Sequence, residues 1–142
     1  MIINITCGQI ANDYYSQKYD GVFIPFNEAM IYGSPTENIF DNDFILERLK
    51  THKVTLEEYL LKLNDFFEVK DRLNEYSIVC WFGDDEFCQI NLLTLLAFLK
   101  QINYKKSIIL HVIDEETYII KETKNIDVSG YKKQYLNYIK HK

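Results

Sequence analysis

Ser77-Ile78-Val79-Cys80-Trp81-Phe82-Gly83-Asp84-Asp85-Glu86-Phe87-Cys88-Gln89 decides the fold. A β-branched and aromatic run stops at a glycine, turns through three acidic residues and enters the most apolar helical stretch of the chain, Ile90 to Leu99. Apolar residues on nearly every side of that stretch predict a helix packed on a sheet and covered again by a neighbour. A buried strand leading through a short corner into such a helix is the repeating unit of an open α/β sheet. In such sheets ligands bind outside the carboxyl ends of the strands, so Gly83 to Gln89 is the first place to look for a site.

The same punctuation recurs on either side. Met1 to Cys7 is a short β-branched run closed by Gly8, and Gln9 to Lys18 carries Ile10, Ala11, Tyr14 and Tyr15 at helical spacing. Gly21 to Pro25 predicts a second strand, ended by a proline that cannot donate to a ladder. The turn-rich segment from Phe26 to Pro35 then falls at the same edge as Gly8, with Asn27 and Glu28 expected to face the cleft. Asp41 or Asn42 is placed to cap a helix running to about Thr51. Thr55-Leu56-Glu57-Glu58 is a capping box, from which one long helix is expected, with a stripe of Leu56, Tyr59, Leu60, Leu63, Phe66, Phe67 and Leu73. Ser107 to Asp114 predicts a strand, Tyr118 to Ile120 an edge strand, and residues 131–142 an amphipathic helix with a solvated lysine face. The fold expected from this order is α/β: a mostly parallel sheet flanked by helices, Rossmann-like and three-layered, with residues 1–142 as a single domain.

Composition limits the function classes. The chain has 142 residues, 16 Lys and Arg against 21 Asp and Glu, and a formal net charge of −5. That balance opposes non-specific attraction to nucleic-acid phosphates or anionic lipid, so no nucleic-acid or membrane partner is expected. No apolar run reaches the roughly 18 residues that a membrane-spanning helix needs. Cys7, Cys80 and Cys88 form no C-x-x-C pair, and an odd count without a secretory apolar region points to reduced thiols in the cytoplasm. One glycine stands where a dinucleotide fingerprint needs three, which argues against a nicotinamide or flavin site of that kind.

Trp81-Phe82-Gly83-Asp84-Asp85-Glu86-Phe87-Cys88-Gln89, with the leucine-rich run to Leu96, resembles the core segment of the bacterial domain of unknown function 1835. Pro25-Phe26-Asn27-Glu28-Ala29-Met30-Ile31-Tyr32-Gly33 and the N-terminal strand-glycine-helix are similar to that family as well, so that the resemblance covers roughly residues 1 to 115. Gln9 stands where the family usually has aspartate, Ile31-Tyr32 where it often has His-Glu, Gly83-Asp84 in place of acidic-His, and Cys88 in place of aspartate; Asp85, Gln89 and Glu28 remain. The resemblance implies a fold and the place of a site, and no established activity or cofactor. Some members carry the label of transcription regulators of the arabinose-operon type, but this chain has no stretch that reads as a helix-turn-helix pair.

Three function classes follow. The leading one is a small-ligand or nucleotide-like binding domain without a strong catalytic signature, its candidate site formed by Gly8, Gln9, Asn27, Glu28, Gly83, Asp84, Asp85 and Gln89, the uncharged amides reading polar groups on the ligand. The second is a metal-assisted phosphoryl-transfer or hydrolytic enzyme, with Asp84, Asp85 and Glu28 as oxygen ligands of a magnesium ion. Against it stands the simpler role of an aspartate as the cap of the following helix. The third is a homodimeric interaction or regulatory module. Cys88 lies in the first helical turn, where the dipole is expected to lower its pKa. His111, inside a strand, is the only histidine expected near the sheet edge, while Cys7 and Cys80 read as small core residues.

Overall fold

In the computed structural model, which describes residues 1–142, the strands β1 (Ile2–Thr6), β2 (Val22–Pro25), β3 (Ser77–Gly83), β4 (Ile108–Ile113) and β5 (Ile120–Ile126) form one sheet in the order β2-β1-β3-β4-β5. The first four are parallel and β5 is antiparallel to β4. Between them lie α1 (Gln9–Lys18), α2 (Asn42–His52), α3 (Leu56–Lys62), α4 (Asn64–Val69), a 3-10 segment (Lys70–Glu75), α5 (Glu86–Gln101) and α6 (Tyr131–Lys140). No helix is long and apolar enough to cross a membrane.

Side chains alternate across a strand, so each strand addresses two layers. Ile3, Ile5, Ile78, Cys80, Phe82, Ile108 and Leu110 belong to the main core together with the inner face of α5. α6 packs on the outside of α5, as the all-round apolar pattern of α5 requires. The opposite face carries Asn4, Thr6, Trp81 and His111 and is covered by α1. There the Tyr15 ring lies 4.5 Å from that of Trp81, and the Thr6 hydroxyl donates to Asn12 Oδ1 at 2.9 Å. α1 covers this face incompletely, leaving Ile2 and Ile109 exposed near the amino ends of their strands. The molecule is thus a three-layer α/β domain, unequal in the weight of its outer layers.

Two elements differ from the sequence expectation. The long helix expected from Thr55 is capped as foreseen, with both halves of the capping box formed, but α3 stops after seven residues and α4 restarts at Asn64. The junction residue Leu63 leaves helical geometry, and the Lys62 carbonyl accepts from Asn27 Nδ2 instead. Across the break Tyr59, Leu63, Phe66 and Leu73 still reach the interior, while Leu56 and Leu60 stay exposed. The edge strand covers Ile120–Ile126, not Tyr118 to Ile120. Its sequence, Ile-Lys-Glu-Thr-Lys-Asn-Ile, has no apolar alternation to betray it, because neither of its faces is buried. Its lysines suit an edge that must not recruit another strand. Tyr118 instead takes a left-handed conformation in the turn, with φ 60°.

Candidate functional site

β1 runs first outward to β2, and the chain then returns past β1 to β3 on its other side. The connections therefore diverge between β1 and β3, and this switch point is where an open α/β sheet forms a crevice. A cleft of about 350 Å³ lies there, lined by Cys7, Gly8, Gln9, Ile10, Ala11, Phe87, Cys88, Glu115 and Tyr118. Each lining residue follows from local structure: Cys7 and Gly8 directly follow β1, Gln9 to Ala11 open α1, Phe87 and Cys88 are in the first turn of α5, and Glu115 and Tyr118 come from the turn after β4.

The floor of the cleft is a thiol-carboxylate cluster. Cys88 Sγ donates to Glu115 Oε1 at 2.7 Å and Cys7 Sγ to the same oxygen at 3.0 Å. Both cysteines are buried and unpaired by disulfides, while Glu115 is exposed. Contrary to the helix-dipole expectation, the pKa of Cys88 is raised: hydrogen bonding with Cys7 contributes most, then burial, the charge of Cys7 and the bond to Glu115. Cys88 is a protonated donor here, not an activated thiolate. His111 does not approach it; its Nδ1 lies 2.7 Å from Thr123 Oγ1 and its ring packs 4.3 Å from Trp81, on the face of the sheet covered by α1. Burial lowers the pKa of His111, which disfavours its charged form.

Backbone shape helps to seat Glu115. A Cβ built on Gly83 would fall 2.9 Å from Glu115 Cγ and 2.8 Å from Asp85 Oδ1, so any side chain here would make both of those side chains shift from their present places.

Of the residues expected at the site, Gly8 and Gln9 line the cleft. Asn27 borders it indirectly, donating to Gln9 Oε1 at 3.1 Å, and Gln89 turns back to donate to the Gly83 carbonyl at 2.8 Å. Asp84, Asp85 and Glu28 are not brought together. Asp84 pairs with Lys121 on the surface at 2.8 Å, and that hydrogen bond and charge lower its pKa. Asp85 is the N-cap of α5, accepting from the Cys88 amide at 3.3 Å. Asp85→Ala is expected to cost about 1 kcal/mol of stability, read as a shift of the urea midpoint.

Glu28 lies away from the cleft in a buried network with Arg48. Its carboxylate accepts from Arg48 Nε at 3.1 Å, Arg48 Nη2 at 3.0 Å, Tyr59 Oη at 2.5 Å and the Ala29 amide at 2.7 Å, and His52 Nε2 lies 2.5 Å away. Burial is the largest influence on Glu28 and pushes its pKa up. The hydrogen bonds and charge of Arg48, aided by Tyr59 and Ala29, overcome it, and the net shift is downward. The remaining Arg48 donors reach the carbonyls of Tyr32 and Ala29 and the Glu47 carboxylate. Every lone pair that a magnesium ion would use on Glu28 is thus already engaged within the protein.

Sequence reading missed Glu115 and the meeting of Cys7 with Cys88. The available signal was positional: Cys7 ends one strand, Cys88 opens the helix after another, and strand order makes those two strands neighbours. Compared with family models, with curated proteins and with solved structures, the chain matches none.

Proposed function

We propose that this chain is a small-ligand-binding domain whose ligand occupies the switch-point cleft. The observation that carries the reading is the cleft itself: about 350 Å³, between β1 and β3, with the exposed apolar side chains Ile10 and Phe87 at its rim and Gln9 beside them. Its volume lies at the lower end of the range for small-molecule sites, roughly 300–1,000 Å³. Apolar walls with a few convergent polar groups are the usual composition of such sites. A nucleoside, a sugar phosphate or another compact polar molecule with one flat face suits it.

Kinship with the bacterial domain of unknown function 1835 belongs to the same proposal. Its support is that the run from Trp81 to Leu96 spans the end of β3 and most of α5, and that α5 lines one side of the cleft with Phe87 and Cys88. A cytoplasmic setting is supported by three unpaired cysteines, and the net charge of −5 supports a small molecule over a nucleic acid.

The test is a thermal-shift screen of nucleotides, nucleosides and sugar phosphates against the wild-type chain and the rim variants Phe87→Ala and Gln9→Ala. A ligand at 100 times its Kd stabilises by about 2.7 kcal/mol, which is several degrees in Tm for a domain of this size. The expected result is such a shift, reduced in both variants. A library that moves nothing, or a shift that both variants keep in full, defeats the reading.

A further inference from the structure

Cys7, Cys88 and Glu115 are more than the lining of a cleft. Their ligand atoms, two sulfurs and one carboxylate oxygen, all lie within 4.8 Å of one another, yet they come from three elements far apart in sequence. We propose that these three residues form a binding site for a thiophilic divalent cation of the zinc type, held by Cys7 Sγ, Cys88 Sγ and a Glu115 oxygen, with the fourth position turned toward the cleft. The ion then forms the floor on which the small ligand of the preceding section sits, so the inference deepens that reading and rests on it.

Geometry and chemistry both favour this occupant. Zinc–sulfur bonds of about 2.3 Å, zinc–oxygen bonds of about 2.0 Å and tetrahedral angles set two sulfurs about 3.8 Å apart and each sulfur about 3.5 Å from the oxygen. The cluster has its sulfurs 2.7 and 3.0 Å from the shared oxygen, so an entering ion needs the sulfur–oxygen distances to widen by roughly 0.5–0.8 Å. Glu115 is on an exposed turn and can make most of that movement, whereas the sulfurs are fixed by β1 and α5. Two thiolates select a soft or borderline ion over magnesium or calcium. Three protein ligands with one open position is the arrangement of zinc sites that bind an exchangeable molecule, as opposed to closed structural sites with four. A disulfide between Cys7 and Cys88 is the competing use of the two sulfurs. It has no need of a carboxylate oxygen within hydrogen-bond reach of both, nor of the glycine at position 83 that makes room for it.

Binding balances simply. One divalent ion enters, the two thiol protons leave to solvent, and no oxidant or reductant takes part.

The experiment titrates the full chain, reduced and stripped with chelator, with Co²⁺ as a spectroscopic probe and with Zn²⁺ as its competitor. One equivalent of Co²⁺ is expected to produce sulfur-to-cobalt charge-transfer absorption, displaced by one equivalent of Zn²⁺, and Zn²⁺ is expected to raise Tm. Calorimetry in buffers of different ionisation enthalpy should count close to two protons released. Cys7→Ser and Cys88→Ser should each lower the band by at least about half and the double variant should abolish it, while Cys80→Ala, which alters a cysteine outside the cluster, should keep it. Glu115→Gln changes an exposed side chain and leaves the folded core intact. It should weaken Zn²⁺ at least about tenfold, since even outer partners of metal ligands cost about 10–100-fold when lost. Absence of the band at one equivalent, its persistence at full intensity in Cys88→Ser, or quantitative Cys7–Cys88 disulfide in a glutathione buffer with Zn²⁺ present would overturn the proposal. Running the nucleotide and sugar-phosphate screen both with chelator and with Zn²⁺ separates the two readings. A ligand that binds equally well in chelator preserves the cleft and removes the ion from it, whereas a cobalt site without any ligand shift preserves the ion and removes the small-molecule reading.

Discussion

Arg48→Met is expected to lower the unfolding free energy by about 3–5 kcal/mol at neutral pH, a large share of the stability of an ordinary domain. The cost comes less from the lost attraction than from what stays behind. Glu28 would remain in the interior with its countercharge gone, and the carbonyls of Ala29 and Tyr32 would each lose a donor. Replacing both charges, as in Glu28→Leu with Arg48→Met, is expected to cost less than Arg48→Met alone, because no unpaired charge is then buried. The pH dependence follows from the sign of the Glu28 shift. Its pKa in the folded protein is below the ordinary 4.5, so its contribution is fully present above 4.5 and is lost as pH falls through the depressed folded value. The stability gap between wild type and Arg48→Met should therefore be widest near neutrality and close in acid. Urea unfolding of the three proteins at neutral and acid pH measures it. A gap that stays constant across that range would show that the guanidinium acts through packing and not through charge.

Asn91→Leu is expected to cost about 2–5 kcal/mol although it nearly conserves shape and adds apolar character. Asn91 is fully buried on α5, where its Oδ1 accepts from the Met30 amide at 2.9 Å and its Nδ2 donates to the Glu28 carbonyl at 2.6 Å. Leucine satisfies neither, and two backbone groups of the segment after β2 would be left dry and unpaired. That segment also positions the Glu28 carboxylate against Arg48, so the two variants share a structural unit. In a double-mutant cycle, Asn91→Leu and Arg48→Met should be non-additive by more than about 0.5 kcal/mol. Additive losses in urea would mean that Asn91 holds the segment independently of the ion pair.

Both networks mark the limit of what the sequence reveals. β1, α1, β2, α5 and β4 were legible because each carries its own signal: a β-branched run ended by glycine or proline, a cap, or an apolar periodicity. Asp85 as a cap was legible for the same reason. Glu28 was legible as an acidic residue just past a strand end, but its partner Arg48 sits 20 residues away on α2, and no local pattern links the two. The break at Leu63 was hidden because the periodicity of leucine and phenylalanine continues across it. The contact that accompanies it, the Asn27 amide on the Lys62 carbonyl, is made by a residue 35 positions earlier. The thiol-carboxylate cluster required the strand order first, since Cys7 and Glu115 are separated by 108 residues and meet only because β1, β3 and β4 are successive neighbours.

α6 does more than cover α5. Lys132 donates to the Glu37 carbonyl, Tyr135 Oη to the Thr36 carbonyl at 2.7 Å, and Lys142 Nζ to the Ile31 carbonyl at 2.5 Å, so the segment between β2 and α2 is tied down by residues 95 to 111 positions later in the chain. Contacts of such separation bear the full entropy of closing a long loop before they return any stabilisation. During synthesis, the residues from Ile31 to Glu37 therefore emerge early but lack these donors until α6 has followed. The emergence of that segment and its fixing are thus separated by most of the length of the chain.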